Sequence, residues 1–138
     1  MSKNTDFIED NTSIDESNDA CQISQEQKDI LLKRIIEVLS DINNISKPDF
    51  NLNMLAELTE SNTKYVSMVI NETYNKNFKS LLNEYRCREA SHLLRDEDMA
   101  AAYTMQAVYE AVGYTNATSF IRAFKAVYGM TPSTYKKL

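Results

Sequence analysis

Thr118, Arg122 and Lys125 recur at intervals of four and three within ATSFIRAFKAVYG, residues 117–129. Phe120, Ala123, Phe124, Val127 and Tyr128 recur at helical spacing on the other side of the same stretch. An apolar stripe of that period holds a helix against a core. An arginine, a lysine and a hydroxyl are then left pointing outward. Such donors contact phosphate oxygens or base edges; the bland alternative is a surface arginine paired with a carboxylate of its own domain.

Other chemistry is poorly supported. Cys21 and Cys87 stand apart with no CxxC, which fits a reducing compartment and argues against structural zinc. His92 is the one histidine and adjoins Leu93 and Leu94, as expected of a surface or half-buried helix residue. Asp96-Glu97-Asp98 reads as a helix end, because a lone triplet lacks calcium-loop spacing. Tyr65, Tyr74, Tyr85, Tyr109 and Tyr128 lie on apolar stripes and read as core. No nucleophile–base pair, phosphate-binding glycine loop or metal constellation is present, so the chain reads as a non-enzyme without metal or cofactor.

The 138 residues suffice for one domain with a modest core. Apolar residues make up 43% and charged residues 25%, as in ordinary globular proteins. No apolar run approaches the length of a membrane span, and the polar start lacks a secretory signal; a cytoplasmic location is expected. The net charge of −5 is uneven. Residues 1–46 carry four Lys/Arg against ten Asp/Glu, whereas residues 47–138 carry eleven against ten. The acidity thus belongs to the leader, although a balance of +1 is low for a nucleic-acid binder.

Residues 1–23 form an acidic leader, polar and aperiodic enough to be expected disordered. Ser24 opens an amphipathic helix reaching about Asn43, with Gln27 completing a capping-box pattern. Residues 46–49, SKPD, break it. Helices then follow throughout: a short one capped by Asn51, another ending at Asn75, and a long one over 78–94 with Leu81, Leu82, Tyr85, Ala90, Leu93 and Leu94 facing inward. Met105, Val108, Tyr109 and Val112 mark the next. Gly113 permits a tight turn, and Gly129 stops the helix that follows it. Pro132 begins a last short helix. The 24–46 helix has three readings: part of the domain, a dimer contact, or a link to a sensory domain.

A shift of 54 residues lays TKYVSMVINETYNKNF, residues 63–78, over ATSFIRAFKAVYGMTP, residues 117–132. Val66 meets Phe120, Val69 meets Ala123, Ile70 meets Phe124, and Asn75 meets Gly129. Glycine and asparagine best tolerate the left-handed conformation that ends many helices. Each copy follows a short helix and a tight turn, which is the helix-turn-helix pattern. The expected fold is all-α: helix-turn-helix units at 51–75 and 104–129, a linker helix at 78–94, and an extra N-terminal helix.

Val112-Gly113-Tyr114, Ser119 through Lys125, and GMTPS followed by Tyr135-Lys136-Lys137 together resemble the C-terminal signature of AraC/XylS-type transcription regulators. NEYRCREASHLL resembles the family's linker helix, and the segment from Leu55 to Phe78 its first helix-turn-helix. The resemblance spans residues 48–138, and its wording (INETYNKNF, NEYR) is closest to the Bacteroides-like variant.

The resemblance implies a bacterial regulator whose two units, joined by a rigid helix, read adjacent major grooves of double-stranded DNA. A 17-residue linker is about 25 Å long, compatible with recognition helices one DNA turn, about 34 Å, apart. Carried over residue by residue, the DNA-facing set is Lys64, Ser67, Met68 and Asn71 in the first unit. In the second it is Asn116, Ala117, Thr118, Ile121, Arg122 and Lys125. Lys76, Lys79 and Lys136 are the phosphate candidates, and Arg86 on the linker braces the halves. Met68 stands where the family often has arginine, and Glu60 where a turn glycine is usual. Ala117 and Ile121 offer only methyl contact with thymine. RNA polymerase, or a sensor domain in a longer protein, is a further partner the resemblance implies. The competing reading is a helical protein-interaction module with little or no DNA affinity, favoured by the low charge, Met68 and Ile121.

Overall fold

The computed structural model describes residues 23–96 and 103–138. The leader expected over residues 1–23 lies outside this range except for Ile23, as do Cys21, Glu97 and Asp98. The described residues form eight helices and no strand. They are α1 (Gln25–Leu39), α2 (Ile42–Ile45), α3 (Leu52–Leu58) and α4 (Thr63–Tyr74), then α5 (Phe78–Arg95), α6 (Met105–Ala111), α7 (Ala117–Tyr128) and α8 (Pro132–Lys136).

Side-chain chemistry sets the helix starts. Ser24 and Gln27 form the capping box of α1. Asn51, Asn62, Asn77 and Asn116 each accept from the backbone N–H three residues on, satisfying one orphan donor. The first helix is shorter than its periodicity suggests and ends at Leu39 rather than about Asn43. Asp41 accepts from the Asn43 N–H at 2.9 Å and starts the separate turn α2, while the Asn44 amide donates to the Val38 carbonyl. A local cap has here outcompeted a continuing apolar stripe. Helix α1 packs on α3 and α4 through Leu31, Ile35 and Leu39. A Lys28–Glu72 ion pair at 3.1 Å joins α1 to α4 at the surface.

Two apolar cores flank α5. Leu81 and Leu82 belong to the first core, with Phe78 and Tyr85 packed against it. Cys87, Ala90 and Leu94 belong to the second. At about 100° per residue, the set 78, 81, 82, 85 and the set 87, 90, 94 point to roughly opposite sides of the helix. The residues expected to face inward on the linker are therefore divided between two faces. The second core is strongly aromatic: Phe120, fully buried, contacts Tyr109, Tyr114 and Phe124, and Tyr135 of α8 meets Phe124 edge-on at 5.3 Å.

Arg86 sits where α5 changes sides, and only 5% of it is exposed. Its Nε donates to the Ile45 carbonyl and its Nη2 to the Lys47 carbonyl, both at 2.7 Å. Its guanidinium also lies 5.3 Å from the centre of the Tyr114 ring. Gly113 closes over this contact with φ +107°, and a Cβ there would come within 2.8 Å of the Ile45 carbonyl oxygen and 2.9 Å of Arg86 Nε. The glycine thus serves the joint between the units as well as the turn.

Glu60 occupies the equivalent turn of the first unit, also at positive φ (+59°) but without a glycine. A side chain in this region costs about 1–2 kcal/mol, and its ion pair with Arg34 is long, at 3.8 Å, and exposed. Glu60→Gly is expected to raise unfolding free energy by about 1 kcal/mol after the entropic cost of glycine, measured by urea denaturation. Arg86→Met, which leaves the buried Ile45 carbonyl and the part-buried Lys47 carbonyl without this donor, is expected to cost about 2–3 kcal/mol. Arg86→Lys should recover little of this, because an ammonium cannot reproduce the planar fork.

Candidate nucleic-acid interface

The internal repeat is carried into three dimensions. Helices α4 and α7 have twelve residues each, begin 54 positions apart, and start on Asn62 and Asn116. Both end on a left-handed residue, Asn75 (φ 57°) and Gly129 (φ 77°). Val66, Val69 and Ile70 are buried in the first core, and Phe120, Ala123 and Phe124 in the second. The correspondence continues past the helices: Asn77 caps α5 and Thr131, 54 residues later, caps α8. In front of them it slips by one residue, with Leu55, Thr59 and Glu60 answering Val108, Val112 and Gly113. The second unit therefore has one more residue in its turn.

Burying one stripe fixes what the opposite face presents. On α4, Lys64, Ser67 and Asn71 are exposed, whereas Met68 is half-buried and packed against the first core. On α7, Asn116, Ala117, Thr118, Ile121, Arg122 and Lys125 are all exposed, with Ile121 at 40%. The Asn116 side-chain oxygen is committed to the Ser119 N–H, which leaves its NH2 group as donor. Lys79 and Lys136 are exposed, but Lys76 is half-buried and ion-paired with Glu84 of α5. That pairing offsets its charge.

The face of α7 is divided, which periodicity alone does not reveal. Ser119, Arg122, Ala123 and Ala126 line a cleft against Lys79, Asn83 and Arg86 of α5, with Thr115 at its rim. Thr118 and Lys125 do not line it. Arg122 therefore stands at the border between the outermost face and the cleft. Its counterpart in the repeat, Met68, likewise leans toward its own scaffold.

Beneath the cleft, Arg86, Cys87 and Tyr114 form a buried group. The Tyr114 hydroxyl donates to Asn83 Oδ1 at 2.6 Å and lies 3.7 Å from Cys87 Sγ. Burial pushes the Cys87 thiol up to about 11, raises Tyr114 as well, and lowers the Arg86 guanidinium from its ordinary value. Tyr114 and Asn83 are structural members that composition did not single out. The sequence signal was available in Tyr114, next to the one glycine of a turn. His92 is exposed, and no cluster of His, Cys, Asp or Glu among the described residues could hold a metal. No helix among the described residues is long and apolar enough to cross a membrane.

Two helix-turn-helix units on one shared helix define a DNA-binding module of the double helix-turn-helix class. The chain belongs to the AraC-type family of such modules: a family model described as a helix-turn-helix domain matches residues 55–138. This is a family of transcription regulator domains and not a class of enzymes. An HTH-type transcriptional regulator of Bacillus subtilis is 26% identical over 100 residues, which is 72% of this chain and 12% of that protein. One of Mycobacterium bovis is 40% identical over 60 residues, 44% of this chain and 16% of that protein. The chain thus spans under a fifth of the length of these curated relatives. The C-terminal domain of the response regulator AraT from Geobacillus stearothermophilus shares the fold with a TM-score of 0.64 at 24% identity, over 84% of this chain and 87% of that one. A DNA-binding transcriptional dual regulator from Escherichia coli superposes with the same TM-score and identity, over 78% and 89%.

The buried thiol and phenol keep their protons in the folded state at pH values where an unfolded chain loses them. That contribution to stability is complete below about pH 9, the ordinary value for the thiol, and disappears as pH rises toward 11. Unfolding free energy is accordingly expected to fall between pH 9 and 11, with a shallower slope in Cys87→Ala. Denaturant titrations at successive pH values measure both slopes; equal slopes would rule out the thiol as their source.

Proposed function

We propose that this chain binds double-stranded DNA and alters transcription at a neighbouring promoter, with α4 and α7 entering successive major grooves on one face of the duplex. The observation that carries this reading is the pair of equivalent helices, each buried along one stripe and exposing chiefly polar side chains along the other. In this arrangement Lys64, Ser67 and Asn71 face the first groove, with Met68 contributing shape. Asn116, Ala117, Thr118, Ile121, Arg122 and Lys125 face the second, while Lys79 and Lys136 approach phosphates. Support for the spacing comes from α5, whose 18 residues span about 27 Å. With the widths of the flanking helices, that suits grooves about 34 Å apart.

The apolar exposed position Ile121 and the chain's net charge of −5 favour a second reading, a helical module that docks on another protein. The two separate in a mobility-shift assay against a random DNA pool. DNA binding predicts a salt-sensitive shift, weakened at least tenfold by Arg122→Ala, and selected sequences with two recognition elements about one helical turn apart. Absence of any shift at about 50 mM salt would sink the DNA reading and leave the protein-docking one.

A further inference from the structure

The cleft between the first half of α5 and α7 collects three cations, Lys79, Arg86 and Arg122, with the polar side chains Asn83, Thr115 and Ser119. No carboxylate lines it. Three cations elsewhere meet acids: Lys28 meets Glu72, Arg34 meets Glu60, and Lys76 in the neighbouring cleft meets Glu84. No ion pair joins Lys79, Arg86 or Arg122 to a carboxylate among the described residues. Arg86 is also more than nine-tenths buried, and its two short hydrogen bonds go to carbonyls, which leave its full charge uncompensated. A cleft bounded by low-dielectric walls and cations of one sign focuses potential on an anion.

We propose that this cleft is a phosphate-group site, in which Lys79 and Arg122 grip the oxygens, Thr115 and Ser119 donate from the rim, and Arg86 supplies charge from below. In the DNA complex the group is a backbone phosphate lying between the two recognition helices. This part rests on the DNA-binding reading; occupation by a free phosphate does not. It also gives Arg122 a role in affinity rather than sequence choice. The two units would then be clamped to the duplex at the point where they meet, next to the Arg86–Gly113 joint.

The test uses the intact chain, Lys79→Gln and the double variant Lys79→Gln/Arg122→Gln, with Lys33→Gln on α1 as a charge control. Thermal melts establish that each folds; both targeted side chains are exposed, so little change is expected. Inorganic phosphate is titrated while the amide resonances of Thr115 and Ser119 and the Asn83 side-chain amide are followed by NMR. Saturable shifts in the wild type and in Lys33→Gln, lost in the double variant, establish the site even if the chain binds no DNA. Salt dependence of DNA binding then assigns the source. A backbone phosphate predicts that the double variant lowers the slope of log K against log salt by about one and weakens all sequences alike. An unchanged slope with the phosphate shifts retained in the wild type assigns the cleft to a free phosphate-bearing ligand. Absence of phosphate shifts together with an unchanged slope overturns the proposal.

Discussion

One buried guanidinium fixes how the parts of this molecule meet. Arg86 has lost most of its water, and the loss depresses its pKa because the charged form is the one penalised. Two carbonyls, one from the last residue of α2 and one from the loop after it, return part of that cost, and the face of Tyr114 returns more. These partners come from the two cores that flank α5: Ile45 belongs to the first, Tyr114 to the second. The arginine can be satisfied only when both units are seated. Gly113 follows from this demand, since any Cβ would push either the carbonyl or the guanidinium away. A single unmet charge would penalise every alternative placement of the two halves.

Much of the local structure was legible because it is written in caps and breakers. Ser24 with Gln27, Asn51, Asn75, Gly129 and Pro132 each have a backbone role that their chemistry nearly dictates, and each lies where that chemistry demands. The repeat was legible from the shared apolar spacing of its two copies and from Asn75 and Gly129, which both suit a left-handed end. Less visible were the features set by contacts distant in sequence. The break at Asp41 depends on a side chain choosing the Asn43 N–H over solvent. The strain at Glu60 is silent in composition, because a glutamate carries no mark of its φ. On α7, a helical wheel groups Arg122 with Thr118 and Lys125, whereas the approach of α5 puts Arg122 at a cleft edge. Lys76 resembled any exposed lysine until Glu84 came within reach.

The balance of charge also has a structural solution. Residues 47–138 carry nearly equal numbers of both signs, so a basic region among them requires that the two signs be separated in space. Acids are spent on pairing lysines and arginines at the margins, as at Glu72, Glu60 and Glu84. Lys79, Arg86 and Arg122, which have no such partner among the described residues, line one cleft between α5 and α7. Local potential depends on this separation, and net charge does not report it. The acidic sum of the whole chain is a property of its first 46 residues more than of the recognition helices.

Helix α5 shows why the two units need a shared element rather than a tether. Its apolar residues fail to form one stripe, because Phe78, Leu81, Leu82 and Tyr85 serve one core while Cys87, Ala90 and Leu94 serve another about half a turn around. A helix with a single apolar face would anchor in one unit and leave the other on a swinging arm. With both faces buried, rotating either unit about the α5 axis would expose part of a core, at roughly 25 cal/mol for each Å² of apolar surface. Sliding along the axis is opposed as well, since the polar crossover residue Arg86 would be drawn off its carbonyls. The separation and phase of α4 and α7 are thus properties of two cores and one charge, and each core must hold for its own helix to keep its place on α5.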